Sequence, residues 1–370
     1  MSAINVPRYY ENRRGIIKEA GDYIRRLGKN VLIVGGNNAL TAVGGKFYKS
    51  LEINEIKYEV KIFTGYPTQK CIREISAMAV ANKNDVIIGV GGGKVLDLVK
   101  AVGNKINMAV VTIPTIPATC AAWSALAVIY KENGEQDIYI HLENSPQLIL
   151  ADKDILSKAP KRYINSGVAD TIAKWYEIAP DLKGNKDDFS IRLQLKVCEL
   201  ALEFLKDDYV KSAIDGSLFD KAYLIDNAVD SIIMLAGLAG SINGSVPYGG
   251  LAHPFYNNST KIHETHKLLH GEKVIFGLLV QFVLEGRDER EILGFVEWMK
   301  KLNLPITLDD LGIKSNIREK VTVIAKGMLE SIGNYSGLSY VLNEKHIIDA
   351  IFKVDSLGKN NLNRENGINA

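Results

Sequence analysis

The sequence predicts two structural classes in one chain: an α/β half built on a parallel sheet, then an all-helical half. Three observations carry this. Short apolar runs rich in Val and Ile alternate with helical patterns as far as Gln147–Ala151. A Gly91-Gly92-Gly93 turn joins one such run directly to a helix. Beyond Pro160 only long helical patterns appear.

Taken in order, Gly15–Leu27 places Ile16, Ile17, Ala20, Ile24 and Leu27 at helical spacing, with Gly28 able to cap it. Val31–Val34 is an apolar strand running into Gly35-Gly36-Asn37-Asn38. A helix, a strand around Tyr58–Phe63 and a helix around Lys70–Ala81 lead to Asp85–Val102. The first half is organised around that stretch. It opens as a strand buried on both faces and leaves as a helix with Val95, Leu98, Val99 and Val102 on its packing side. The glycines between let the backbone turn tightly, and the helix N-terminus they open suits a pyrophosphate. A plain strand-to-helix turn explains them equally well. The stretch is neither a P-loop nor G-x-G-x-x-G. Asp97 either favours the helix dipole or touches a cofactor.

Met108–Ile113 is the next strand, ended by Pro114 and Pro117. In a parallel sheet ligands bind at the carboxyl edge, where Gly36, Gly91–Gly93 and Thr115–Cys120 would gather. Leu126–Tyr130 and Asp137–Leu142 flank an Asn-Gly turn and read as a hairpin, and Gln147–Ala151 as a last strand. The helices that follow are Tyr163–Ile178, Asp188–Leu205, Ala222–Leu238, Leu268–Leu284, Glu289–Leu302 and Glu344–Leu357, with no convincing strand among them. The predicted domains are therefore 1–157 and 158–370, and only the last dozen residues read as disordered.

The chain has 370 residues, 46% of them hydrophobic, enough for a large core, and a net charge of +2. That charge selects neither a nucleic acid nor a membrane as partner. The start lacks the apolar core of a signal peptide, and the Ile232–Ile242 segment is too short and Gly-rich to span a bilayer. Cys71, Cys120 and Cys198 are too scattered for a disulfide framework. The expectation is a cytoplasmic protein acting on a small molecule.

Four of the six histidines lie between His253 and His270. His263, His266 and His270 would share a face if they stood on one helix. His253 lies in a Gly/Pro-bounded turn, Tyr248-Gly-Gly-Leu-Ala-His-Pro254. Imidazoles are common metal ligands, but a polar surface helix gives the same pattern. Asp170, in an otherwise apolar helix start, is open to two roles: a ligand, or a surface pair with Lys174.

Five motifs in order resemble a known family: Gly91-Gly-Gly-Lys-x-x-Asp-x-x-Lys100, Pro114-Thr-Ile-x-x-Thr119, Gly167-x-x-Asp170, His253, and His270-Gly-Glu-Lys-Val274. Together they resemble the iron-containing alcohol dehydrogenase superfamily, in its glycerol dehydrogenase branch. The resemblance implies a Rossmann-like domain followed by an all-helical one, the dehydroquinate synthase-like architecture. The first domain would bind NAD or NADP, and the second one Zn²⁺ or Fe²⁺. It places the metal on Asp170, His253 and His270, leaving His263 and His266 as supporting or surface residues. It places the dinucleotide on Gly36, Asn37, Gly92, Gly93, Lys94, Asp97, Thr115, Thr119, Ser124, Leu126 and Tyr130. It also implies a homo-oligomer.

Two departures bear on substrate. Ala118-Thr119-Cys120 stands where glycerol dehydrogenases have Ser-Thr-Asp, so Cys120 and Trp123 would make the pocket smaller and more apolar. Thr119-Cys-Ala-Ala-Trp123, with Asp170-Thr-Ile-Ala-Lys174-Trp-Tyr-Glu177, more closely resembles hydroxycarboxylate dehydrogenases, which reduce 2-oxo acids. Lys174, in place of a small neutral residue, would face a substrate carboxylate. Gly36-Asn37-Asn38 replaces an acidic reader of the ribose 2′-hydroxyl, which favours NADPH. The rival readings are an NAD-linked polyol dehydrogenase, a dehydroquinate synthase-like lyase, and a non-catalytic binding protein. The lyase needs a Lys/Arg cluster for a phosphorylated acid, and the sequence offers none around Asp170 and His253.

Overall fold

In the computed structural model, which describes residues 3–180, 185–220, 222–243, 250–332, 340 and 342–365, the chain opens with two short strands not anticipated from sequence. These are β1 (Ala3–Ile4) and β2 (Tyr9–Glu11). A 3₁₀ turn (Ile16–Glu19) and α1 (Ala20–Ile24) fill the Gly15–Leu27 helix. Strands and helices then alternate as expected: β3 (Asn30–Gly35), α2 (Asn37–Ile53), β4 (Lys57–Ile62), α3 (Gln69–Ala81), β5 (Val86–Gly91), α4 (Gly93–Ile106) and β6 (Ala109–Pro114). The hairpin β7 (Leu126–Tyr130) and β8 (Gln136–His141) follows, then β9 (Leu148–Leu150).

Six strands form one parallel sheet in the order β2-β9-β6-β5-β3-β4. Alternation along β3 and β5 sends Val31, Ile33, Ile88 and Val90 into the core under α1 and α2. Leu32, Val34 and Ile87 go the other way, against α3 and α4. Burial on both faces is why these strands read as unbroken Val/Ile runs. β2 was missed because Tyr-Tyr-Glu at a sheet edge carries no such pattern.

The helices that follow are α5 (Lys153–Leu156), α6 (Lys161–Ile178), α7 (Phe189–Leu202), α8 (Lys211–Asp215), α9 (Ala222–Asp230) and α10 (Ala236–Ser241). Glu203–Val210 and Ser231–Leu235 are π-helical. After β10 (Ile242–Asn243) come α11 (Ala252–Ser259), α12 (His270–Leu284), α13 (Glu289–Lys301), α14 (Ile317–Ile332) and α15 (Glu344–Glu365). β10 corrects the strand-free reading of the second half: its two residues pair antiparallel with Ala3 and Ile4. α15 corrects the disordered tail. Its polar end extends a helix already nucleated by Ile347, Ile351 and Val354, which costs little per residue. Residues 366–370 lie outside the described residues.

The chain divides into two compact units, Ser2–Ile164 with Ile225–Asn243, and Asn165–Leu224 with Gly244–Ala370. The expected division at 157/158 thus moves into α6, and a helical segment returns to the first unit. Helical periodicity does not reveal which core a helix joins. Here Val229 and Ile233 pack with Leu96, Ala122, Trp123 and Ile149, and Asp230 accepts hydrogen bonds from Tyr10, Asn12 and Lys153. The continuous helical run Ala222–Ser241 is longer than the Ile232–Ile242 segment suggests, and by length and composition it could cross a membrane. Its Val229 and Ile233 are nevertheless fully buried in this protein core.

In the second unit α12 is buried along most of its length, from Gly271 to Phe282. Tyr176, Phe282 and Phe295 meet edge to face with centroids 4.9–5.2 Å apart, fixing the C-terminal end of α6.

Candidate active site

Helix α6 presents Asp170, Lys174 and Glu177 at i, i+4 and i+7, so one face carries all three. His253 stands in the first turn of α11 and His270 is the first residue of α12. Of the predicted turn before His253, Tyr248 and Gly249 lie outside the described residues.

These residues converge. One ligand atom from each of Asp170, His253 and His270 lies within 4.8 Å of the others. Asp170 Oδ1 is 3.1 Å from His270 Nε2 and 3.4 Å from His253 Nε2. Lys174 Nζ is 3.5 Å from the same oxygen, and its side chain is only 14% exposed, so the surface pair is not what forms. Glu177, fully buried, was not singled out from sequence. Its Oε2 is 2.6 Å from His253 Nδ1, and its Oε1 accepts from the His253 backbone N–H at 2.9 Å. With Nδ1 held there, Nε2 is the ring atom that faces Asp170. The available signal was a charged residue seven positions after Asp170, on the same helix face.

Local packing explains why the helices meet at this point. A Cβ on Gly271 would collide with the Ser166 carbonyl, and the Gly271 N–H donates to Ser166 Oγ at 3.1 Å. Glycine after His270 thus lets α12 start against α6. Glu272 accepts from the Leu269 N–H at 2.7 Å, fixing that first turn. A Cβ on Gly250 would likewise collide with the Glu177 side chain. Gln281 accepts from the Leu251 N–H at 2.9 Å and donates to the Tyr176 carbonyl at 3.0 Å, tying the start of α11 to α6. The Tyr256 ring stands edge-on to His270 at 4.1 Å.

His263 and His266 do not share a helix with His270. They lie on a separate 3₁₀ turn, His263–Lys267, and the extended backbone of Leu268 and Leu269 breaks the run. His266 Nε2 is 2.7 Å from the Thr260 carbonyl, and His263 is exposed.

Charge is strongly redistributed among these groups. Burial works against the Asp170 carboxylate, but Lys174 and the two imidazoles outweigh it and hold its pKa well below the usual range. Burial also opposes a charge on His253, yet Glu177 and Asp170 push its pKa up to about 9. For His270 burial prevails over Asp170, and its pKa is lowered. A carboxylate and two imidazoles converging on one buried point match the donors that a first-row divalent ion accepts. The residues present fit such an ion.

The first unit holds the residues expected at the dinucleotide. Gly91 has φ +155°, which side chains disfavour. A Cβ on Gly92 would lie 2.7 Å from Ile116 Cδ1, and one on Gly93 would lie 3.3 Å from Thr119 Oγ1. The loop after β6 therefore crowds the glycine turn, and the Thr115 N–H donates to the Gly91 carbonyl at 3.1 Å. Gly36 precedes the first turn of α2, where Asn37 and Asn38 are exposed. Lys94 Nζ sits 3.8 Å from the Tyr66 ring centroid, which itself packs on Tyr130 at 5.4 Å, and burial lowers the Lys94 pKa.

Asp97, Ser124 and Leu126 have internal partners instead of a free face. Asp97 is buried and pairs with Lys100 at 2.9 Å. Burial raises its pKa, and Lys100 offsets this in part. Lys100 in turn donates to the Ser124 carbonyl and hydroxyl at 3.0 and 3.1 Å and to the Leu126 carbonyl. Cys120 is half-buried. Trp123, expected to line the substrate pocket, is packed in the first unit's core, because Gly237 leaves room for the indole and Tyr10 meets it edge-on at 5.4 Å.

Comparison with known proteins matches residues 7–153 to the family model described as iron-containing alcohol dehydrogenase. Glycolaldehyde reductase of Halobacterium salinarum is 30% identical over 363 residues, covering 97% of this chain and 98% of that protein. Hydroxycarboxylate dehydrogenase A of Escherichia coli is 29% identical over 300 residues, covering 80% of this chain and 81% of the relative. The crystal structure of glycerol dehydrogenase from Schizosaccharomyces pombe superposes with a TM-score of 0.85 at 26% identity, covering 99% of this chain and 93% of that one.

Proposed function

We propose that this chain, which belongs to the iron-containing alcohol dehydrogenase family and acts on CH–OH donors, interconverts small 2-oxo acids and their 2-hydroxy counterparts. When bound, a nicotinamide cofactor would supply the hydride chemistry and one divalent ion would supply Lewis acidity at the substrate oxygen. Asp170, His253 and His270 would hold that ion. Glu177 keeps the His253 Nδ1 proton and so leaves Nε2 to coordinate.

The observation that carries the substrate reading is Lys174, whose ammonium lies 3.5 Å from Asp170 Oδ1 in a largely buried position. Asp170 and Glu177 together balance a divalent ion. Lys174 places a further positive charge beside that point, in largely buried surroundings where an ammonium attracts an anionic group strongly. A substrate carboxylate neutralises it; a neutral polyol does not. For the cofactor, α2 has no acidic residue in its first turn. Asn37 and Asn38 thus put no negative charge against a 2′-phosphate, and NADPH is the expected donor.

The test is NADPH oxidation with 2-oxobutanoate and 2-oxoglutarate beside glycolaldehyde, in wild type and Lys174→Met. A buried charge-assisted hydrogen bond contributes about 1.5–3 kcal/mol, so the variant should lose roughly ten- to a hundredfold in kcat/KM on the acids alone. Equal losses on acid and aldehyde would overturn the assignment. The relative named glycolaldehyde reductase, matched over nearly the whole chain, favours a second reading: a 2-hydroxy aldehyde or polyol as substrate. A wild-type preference for glycolaldehyde or glycerol over every 2-oxo acid would establish it.

A further inference from the structure

Among the described residues β4 is the outermost strand of the six-stranded sheet, and its outer edge is Lys57-Tyr-Glu-Val-Lys-Ile62. A strand edge is a row of backbone donors and acceptors ready to pair, which proteins usually cover or guard with lysines. The Lys57 N–H donates to the Lys29 carbonyl at 2.8 Å and the Phe63 N–H to the Gly35 carbonyl at 2.9 Å. With the register Asn30↔Lys57 through Gly35↔Ile62, the odd-numbered residues turn their backbone groups toward β3. Tyr58, Val60 and Ile62 therefore turn theirs outward. Val60 and Ile62 are 40% and 45% exposed, and Ile53 at the end of α2 is 71% exposed.

An antiparallel partner must oppose outward residues with outward residues, which leaves few registers for a two-fold axis. Centred on Val60, Val60 meets Val60, Tyr58 meets Ile62, and Glu59 meets Lys61 twice over. All the apolar residues then fall on one face and both ion pairs on the other. Centred on Glu59, Glu59 would oppose Glu59 and Lys57 would oppose Lys61. Centred on Lys61, two lysines would meet on the axis. Asn82 also fixes the Glu59 carboxylate in advance, donating to both oxygens at 2.8 Å.

We propose that a second copy of this chain pairs with β4 edge to edge about a two-fold axis at Val60, so that two six-stranded sheets continue as one. The usual guard residue Lys61 becomes, in this register alone, the partner of Glu59.

The test is the solution mass of the full chain by light scattering, with circular dichroism as the check on folding. Lys61→Glu sets two carboxylates against each other at both pairs and should raise the dissociation constant of the pairing at least tenfold. Glu59→Lys combined with Lys61→Glu restores opposite charges and should return the wild-type mass. Val60→Cys places two thiols on residues about 5.5 Å apart between Cα atoms, within disulfide range, and should give a covalent dimer under mild oxidation that wild type does not. A monomeric wild type, an unchanged mass in folded Lys61→Glu, failure of the double variant to restore it, or no crosslink in Val60→Cys would each overturn the proposal.

Discussion

Replacing Glu177 by Gln removes a charge while keeping the shape, and the loss falls on two hydrogen bonds. Glu177 is fully buried and, among the described residues, accepts from the His253 N–H at 2.9 Å and Nδ1 at 2.6 Å. A glutamine has a single acceptor oxygen, so one donor loses its partner. If the amide N–H₂ turns to Nδ1, the imidazole proton moves to Nε2, the atom that should coordinate. Supporting groups of this kind are worth roughly 10–100-fold in metal affinity. The charge acts in the opposite direction through the proton. His253 titrates at about 9 without the ion, chiefly because Glu177 outweighs burial. The ion must displace that proton, so wild-type affinity should climb by about tenfold per pH unit from about pH 7 to 9, then level off. In Glu177→Gln the main upward push on the His253 pKa is removed, only that of Asp170 remaining, and the climb should flatten. Chelator competition for Zn²⁺ at pH 7, 8 and 9.5 measures both effects. The variant should show its full deficit at pH 9.5 and little or none at pH 7, where the wild type's proton competition offsets it. An unchanged slope, or no deficit at pH 9.5, would refute the reasoning.

Asp170→Ala, His253→Ala and His270→Ala should each abolish stoichiometric metal by elemental analysis and cut the rate, whereas His263→Ala and His266→Ala should leave metal content near wild type. Gly271→Ala drives a methyl into the Ser166 carbonyl; overpacking of this kind costs about 1–3 kcal/mol and should lower both Tm and metal content. Steady-state comparison with one substrate should show NADPH preferred over NADH, and Asn37→Asp should shift that preference toward NADH. A strong wild-type preference for NADH would contradict the role given to Asn37.

The alternation of buried strands and helices was legible because burial on both faces leaves an unbroken apolar run, as in Val86–Val90. Tyr9–Glu11 and Ile242–Asn243 were not, since two or three residues at an edge leave no periodicity to read. Motif order named Asp170, His253 and His270, whose side chains converge; spacing alone pointed to His263, His266 and His270, and the break at Leu268–Leu269 separates that trio. Glu177 and Gln281 escaped because their roles depend on which helix start packs against α6. Trp123 was misplaced for a similar reason. A bulky apolar side chain beside polar motifs looks like a pocket wall until Gly237 is seen to receive it.

Asp170, Lys174 and Glu177 share one uninterrupted helix, so hydrogen-bonded pitch rather than loop closure sets their spacing. The Cα atoms of Asp170 and Glu177 lie about 10.5 Å apart along the axis, a length that a helix holds against thermal motion. The two imidazoles have no such ruler: each stands at the frayable start of a different helix, pinned by Gln281, Glu177, Ser166 and Glu272. Heat or chelation should therefore open the centre from the histidine side, with α6 intact. Damage to it is reversible for as long as that helix survives, and an enzyme emptied by mild heating should recover when the ion is returned.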